Sequence, residues 1–224
     1  KAETILSDSL AVNGETIFEK CNSGIISTLL AVSELYKIVI NGLLGEKRKK
    51  LKKAVKEIKK LNKEIKTIKS NIHITINKLE EEIVESGHHY VQVLDYLGDM
   101  THCMTTITRA VFNHVDNNHA PLKNPQIKNL GSFQKNVSKF FEEVVQLISD
   151  KSFDNSKKVV SLSTNLMDKT VKLRKEQIKY LKSDTFNTSI SLLYLDILVE
   201  SKNLILYTTY LLKASKEFTR HFKF

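Results

Sequence analysis

The chain has 224 residues, a length that suits one domain or two small ones and is enough to bury a real core. Only two prolines and seven glycines interrupt it, which argues against a β-rich fold and favours long helices joined by short turns. The net charge is +10, and much of it is concentrated between Glu46 and Lys69, where twelve Lys or Arg residues accompany three acids.

This basic segment has two interpretations. Its lysines follow a helical pattern, so they can be the solvated face of a helix whose aliphatic side-chain stems cover the core. Alternatively, the charge attracts an anionic membrane surface or a nucleic acid. No aromatic residues interleave with the lysines for base stacking, so nucleic acid is not an expected partner.

Apolar periodicity predicts an all-α fold with six long helices, at about residues 13–44, 46–85, 88–114, 126–149, 154–181 and 189–218. The loop DNNHAPLKNP at 116–125 is the clearest break, with three predicted helices on each side. We therefore predict one domain over 1–224, built as two up-down three-helix bundles. Tyr90 and Tyr194 open similar patterns, YVQVLDYLGD and YLDILVESKN, which indicates pseudo-repeats over 13–118 and 125–220.

Two stretches, 24–44 and 190–212, are apolar enough to raise the question of membrane spans. Each contains charges that would be costly in lipid, so we predict core helices instead. Cys21 and Cys103 lie in apolar helical contexts and are predicted to be buried free thiols in a reducing compartment. Because the chain begins at Lys1, we expect it to be a piece of a longer protein or a processed product.

The most unusual pattern is a polar stripe in the third predicted helix. His88, Gln92, Asp95, Asp99 and His102 follow at steps of four, three, four and three, which places them on one face of an α-helix. A predicted core stripe runs beside it, formed by Tyr90, Leu94, Leu97, Met104 and Val111. Such a stripe is either a solvated flank or a face that holds a ligand.

Two stretches resemble the PhoU family. The segment RKEQIKYLKSDTFNTSISLLYLDIL, residues 174–198, is similar without a gap to the family's link RxxHIERLxxGxxxPExGxxFLDLL, with Gln177 at the histidine position and Tyr194, Leu195 and Asp196 at FLD. HYVQVLDYL, with HVDNNH downstream, is similar to the C-terminal PhoU-like tail of a bacterial phosphate permease of the PiT type.

The resemblance implies a PhoU-like regulatory domain that controls phosphate uptake on the cytoplasmic side of the inner or plasma membrane. Its partner would be the transmembrane permease part of the same parent chain. A free-standing PhoU-like regulator is the alternative, and a second copy of the chain is a further candidate partner.

In the PhoU family the acidic signature LERIGDxxxNI binds metal. It can be aligned with this chain in two registers. One places Leu97, Gly98 and Asp99 on IGD. The other matches core residues and puts Gly98 and His102 at the acid positions. Either way Asp95, Asp99 and His102 suit a divalent transition metal such as Fe, Mn or Zn.

A well-held ion would need a fourth ligand from another helix, and the candidates are Asp168, Asp196 and Glu200. In the second half Lys202 and Leu206 take the acid positions, although Asp196, Glu200 and Asn203 still form a polar stripe. In the second predicted helix, where family members often have an acidic pair, Asn62 and Lys66 weaken a two-helix cluster. The alternative is that the acids balance the basic helix by ion pairs.

A second cluster of ligand types, His114, Asp116 and His119, lies beside Pro121 and is typical of turn-making and capping as well as of metal or partner contact. His88 stands at a helix start, where simple exposure is the alternative to a role as an accessory ligand. No glycine-rich phosphate loop and no nucleophile motif is present, so we do not expect an enzyme. A metal-dependent enzyme on a helical bundle is the remaining option from that class.

Overall fold

The computed structural model describes residues 14–80, 85–182 and 187–222. These residues form an all-α structure, as predicted, with seven helices and no strand among them. The helices are α1 (Gly14–Leu44), α2 (Arg48–Ser70), α3 (Ile72–Glu80), α4 (Ser86–Asp116), α5 (Asn124–Ser149), α6 (Ser156–Lys182) and α7 (Thr188–Arg220).

The prediction of a single helix over 46–85 is wrong, because α2 ends at Ser70 and α3 begins at Ile72. At the interruption the Ser70 hydroxyl donates to the Lys66 carbonyl and the Asn71 side-chain amide donates to the Thr67 carbonyl, while the Asn71 backbone N–H also donates to Thr67. The predicted continuation over 81–84 lies outside the described residues. The other five helices begin and end within about two residues of their predicted bounds.

The helix contacts follow a simple order. α4 and α7 share the most extensive interface, α2 packs on α4, and α6 packs on α7. α1 contacts α2, α4 and α5, while α5 also contacts α6 and α7. α4 and α7 run antiparallel, because the Tyr90 ring lies 5.5 Å from that of Phe218 while Met100 contacts Thr208 further along. The result is a row α2–α4–α7–α6, with α1 and α5 packed across it.

Both apolar stretches belong to the core, as predicted. Tyr36 of α1 is fully buried and its hydroxyl lies 2.8 Å from the Ser201 hydroxyl of α7. Within the described residues one segment, Ile17–Leu44 of α1, is long and apolar enough to cross a membrane by length and composition. Eleven of its hydrophobic side chains are buried against the other helices: Ile17, Phe18, Cys21, Ile25, Leu29, Val32, Leu35, Tyr36, Val39, Ile40 and Leu43.

The turn from α1 to α2 depends on close packing. Gly42 lies inside the last turn of α1, and a Cβ added there would stand 2.7 Å from Leu51 Cδ2 of α2. Glu46 then adopts a left-handed backbone, with φ of 48°, and reverses the chain within three residues. This turn sets α2 antiparallel to α1, so that the basic helix packs along its neighbours.

Candidate functional site

The polar stripe of α4 lies on its solvent-facing side. Asp95, Asp99 and His102 are all exposed, next to α2 on one flank and α7 on the other. Tyr90, Leu94, Leu97, Met104 and Val111 are buried, as the periodicity predicted. The three predicted metal ligands therefore share a face of one helix, and their chemistry depends on what the neighbouring helices bring to it.

α2 brings a cation to the stripe. The Lys69 ammonium lies 2.7 Å from the Asp95 carboxylate, with the two side chains 40% and 57% exposed. Gly98 leaves room for this lysine, since an added Cβ there would lie 3.4 Å from Lys69 Nζ. Asp95 thus forms an ion pair between α4 and the basic helix α2, which was the alternative to metal binding.

Two further contacts extend this α2–α4 seam. The Asn62 side-chain amide donates to the Thr105 hydroxyl at 2.7 Å, so α2 presents an amide rather than an acid toward this part of α4. At the other end of the interface, Arg48 forms an ion pair with Asp116. Asp116 was predicted as an accessory ligand, and the structure commits its carboxylate to an arginine.

α7 brings acid and tyrosine to the opposite flank of the stripe. The Cys103 thiol donates a hydrogen bond to the Glu200 carboxylate, and Asp99 lies near enough to act on it electrostatically. Burial, reinforced by these two negative charges, raises the pKa of Cys103 to about 12. Tyr207 joins the group, and its pKa is raised by burial and by Asp99, Cys103 and Glu200 in that order.

The sequence identified Asp99 and Glu200 separately but missed Tyr207. Its signal was present: Tyr207 follows Glu200 by seven residues, which is two helical turns on the same face. Asn203 lies on α7 between them and is half-buried. Asp99, Cys103, Glu200 and Tyr207 therefore form a partly buried surface with acidic side chains between α4 and α7. Because its thiol is protonated near neutral pH, Cys103 is unsuited to nucleophilic catalysis.

A third place gathers predicted residues from both halves of the chain. An open groove of about 260 Å³ lies where α4 ends and α7 begins, and His114, His119 and Asp196 line it. The rings of His114 and His119 are 5.3 Å apart, and His114 Nε2 lies 3.0 Å from the Ala120 carbonyl oxygen. Burial, partly offset by that carbonyl, lowers the pKa of His114, so its imidazole stays neutral to lower pH than an exposed one.

Histidines also gather where α4 begins and α7 ends. His88 is exposed, which was the alternative to a role as an accessory ligand. Its ring lies 5.4 Å from that of His89. The His89 ring stacks at 5.3 Å on His221, and His89 Nδ1 lies 3.4 Å from the Gln92 side-chain oxygen. Gln92 and His88 lie about six to seven turns of α4 away from His114.

The predicted ligands are thus divided among several places rather than assembled in one. Within the part of the chain that the structure describes, no three His, Cys, Asp or Glu side chains come together in a group that could hold a metal ion. Asp168, the remaining candidate for a fourth ligand, lies on the exposed face of α6 among lysines. The predicted ligands that do lie near one another are not arranged closely enough to share an ion, and the metal site stays a prediction.

Cys21 and Cys103 are both buried and free, as predicted. Burial raises the pKa of Cys21 to about 12, against a smaller opposing effect of its hydrogen bond with Tyr90. Gln177, which the PhoU-like link places at a histidine position, is buried and accepts from Gln126 at 3.1 Å while donating to Ser191 at 2.8 Å. It ties α5, α6 and α7 together.

No protein-family model matches the chain, and no curated protein matches it. A functional proposal therefore depends on the geometry of the described residues and on the resemblance to the PhoU family.

Proposed function

We propose that this protein is a regulatory or interaction module, of the kind that a PhoU-like domain supplies to an inorganic phosphate transporter. In this proposal it acts on the cytoplasmic side of the membrane and contacts the transmembrane part of the transporter. Its helices provide surfaces for a partner, and no bond of a substrate is made or broken on them.

The observation that carries the proposal is the pattern of helix contacts. α1, α2 and α4 contact one another, α5, α6 and α7 contact one another, and the α4–α7 and α1–α5 interfaces join the two sets. Two joined groups of three long helices are what the resemblance implies. The first group carries one additional short helix, α3, which packs on α4 and α1.

The chemistry of the seams supports the same proposal. The predicted site residues Asp95 and Asp116 pair with cations of α2, and Glu200 accepts from a buried thiol of α4. Acids used in this way hold helices together, and a modest rearrangement of those pairs would change how the helices pack. This is a suitable basis for a module that transmits a signal through contacts.

The test is removal of the module from its natural context. Deleting the coding region for residues 14–222 from the gene, in frame, should change the uptake of radiolabelled phosphate and its response to external phosphate. The matched control is the same deletion complemented by the chain expressed separately. Unchanged uptake at every phosphate concentration would contradict the proposal, whereas unchanged uptake with altered expression of phosphate-starvation genes would favour the free-standing regulator.

A further inference from the structure

The strongest unassigned feature of the molecule is a row of lysines on α2. Lys49, Lys52, Lys56, Lys59, Lys63 and Lys66 follow at steps of three, four, three, four and three, and all six are exposed. Steps of this kind form one straight stripe along a helix. The row runs over seventeen residue steps, from Lys49 to Lys66, and is therefore about 25 Å long. We call these six residues the lysine row.

The rest of α2 is organised around this row. The opposite face is buried in the core through Leu51, Ala54, Ile58, Leu61 and Ile65. The two acids of the helix, Glu57 and Glu64, line a groove of about 320 Å³ between α2 and α1, away from the row. The two acids are thus kept off the lysine row, and the groove that they line also holds Lys60.

Among the described residues, the lysine row has no ion-pair partner. Lys69 and Arg48 of α2 form ion pairs with α4, but none of the six lysines forms an ion pair with any described residue. Six like charges along one side of a helix repel one another and cost stability. Their uncompensated charge favours a partner with many negative charges.

We infer that the lysine row docks this protein on a membrane surface rich in anionic phospholipid headgroups. A straight row of six ammonium groups can meet the phosphates of a flat bilayer simultaneously, and four to eight basic residues on one helix are typical of such binding. The apolar face of α2 is buried in the protein, so α2 lies on the headgroups without inserting into the hydrocarbon.

The same observations disfavour a nucleic acid. α2 has no aromatic side chain on which a base could stack. Its single arginine, Arg48, is engaged by Asp116, which leaves no bidentate donor for base edges.

The test compares two triple charge reversals in the whole chain, measured by co-sedimentation with vesicles. One variant carries Lys52→Glu, Lys56→Glu and Lys59→Glu in the lysine row. The matched control carries Lys172→Glu, Lys175→Glu and Lys179→Glu on α6, where these exposed lysines are interspersed with acids. Both variants change the net charge equally, so only the position of the change differs.

The unmodified chain should bind vesicles of phosphatidylcholine with about one-third phosphatidylglycerol, and not phosphatidylcholine alone. High salt should abolish the binding, because screening weakens exposed charges. The row variant should lose about a hundredfold in affinity or more, given the contribution of each lysine near an anionic surface. The α6 variant should retain most of it.

Three outcomes would overturn the inference. They are no binding to anionic vesicles, an equal loss in the α6 variant, and tighter, row-dependent binding to a DNA duplex than to the vesicles. Circular dichroism checks that both variants fold. If the row variant does not, the neutral set Lys52→Gln, Lys56→Gln and Lys59→Gln replaces it. The vesicle assay involves no transporter, so its failure is distinguishable from a failure of the phosphate-uptake proposal.

Discussion

α2 and α6 occupy opposite ends of the row of helices, and both are strongly basic, yet their charges are arranged differently. α2 has eleven Lys or Arg residues and two acids, and the acids lie on the side that faces α1. α6 has eight Lys or Arg residues and two acids, and Asp168 and Glu176 lie among Lys172, Lys175 and Lys179 on one exposed surface.

The difference teaches that the net charge of a helix does not by itself define a binding surface. On α6, Asp168 and Lys172, and Lys172 and Glu176, are four residues apart, a spacing at which opposite charges stabilise a helix locally. On α2 the corresponding compensation is absent from the lysine row, so its field extends into the solvent. The segregation rather than the number of charges sets the two helices apart.

The buried apolar side chains of α2 and α6 should nevertheless contribute equally to stability. Truncating one on each helix gives the largest effects expected here. Ile58 of α2 and Leu173 of α6 are buried, at 0% and 1% exposure. Ile58→Ala and Leu173→Ala should each lower the free energy of unfolding by about 3 kcal/mol, because each leaves a cavity in the core. Urea denaturation measures both. A loss below about 1 kcal/mol for either variant would show that its helix is only loosely docked.

Buried polar side chains should contribute more to the stability of α6 than to that of α2. Gln177 of α6 is buried and bonded to two partners, so Gln177→Leu leaves both Gln126 and Ser191 unsatisfied and should cost about 2 kcal/mol. Asn62 of α2 makes one half-exposed bond, and Asn62→Leu should cost about 1 kcal/mol or less. The same denaturation experiment compares them, and a larger cost for Asn62→Leu would reverse the expected order.

The ion pair between Lys69 and Asp95 should contribute less still. Both side chains are about half-exposed, so a double-mutant cycle with Lys69→Ala and Asp95→Ala should give a coupling free energy of about 0.5 kcal/mol that falls with added salt. Asp168 and Lys172 on α6 provide the control cycle within one helix. A coupling that exceeds about 2 kcal/mol or is insensitive to salt would mean that the pair is shielded from solvent.

The smallest expected effect concerns metal. Asp95 is paired with Lys69, and no three donor side chains converge among the described residues, so removing transition metals with a chelator should leave the thermal midpoint unchanged. Elemental analysis of the purified protein provides the direct measurement, with Asp95→Ala and Asp99→Ala as variants. One equivalent of Fe, Mn or Zn, lost in Asp99→Ala, would contradict this expectation and establish the predicted site.

The sequence by itself determined the secondary structure and the buried faces. Apolar residues three and four apart place the helices and identify Tyr90, Leu94 and Leu97 as core, because an α-helix returns to the same face at that spacing. It also determined that Cys21 and Cys103 are buried. The periodicity did not reveal the break at Asn71, because Ile65, Ile68 and Ile72 keep helical spacing across it.

Only the tertiary structure decided what each polar residue meets. Asp95, Asp99 and Asp116 have the same chemistry and lie on the same helix, but α2 supplies Lys69 to the first and Arg48 to the last, while α7 brings Glu200 and Tyr207 near Asp99. Such partners are distant in the chain, so local spacing cannot specify them. The same holds for the lysine row. Its spacing is visible in the sequence, but its exposure to solvent depends on which sides of α2 are covered by α1 and α4.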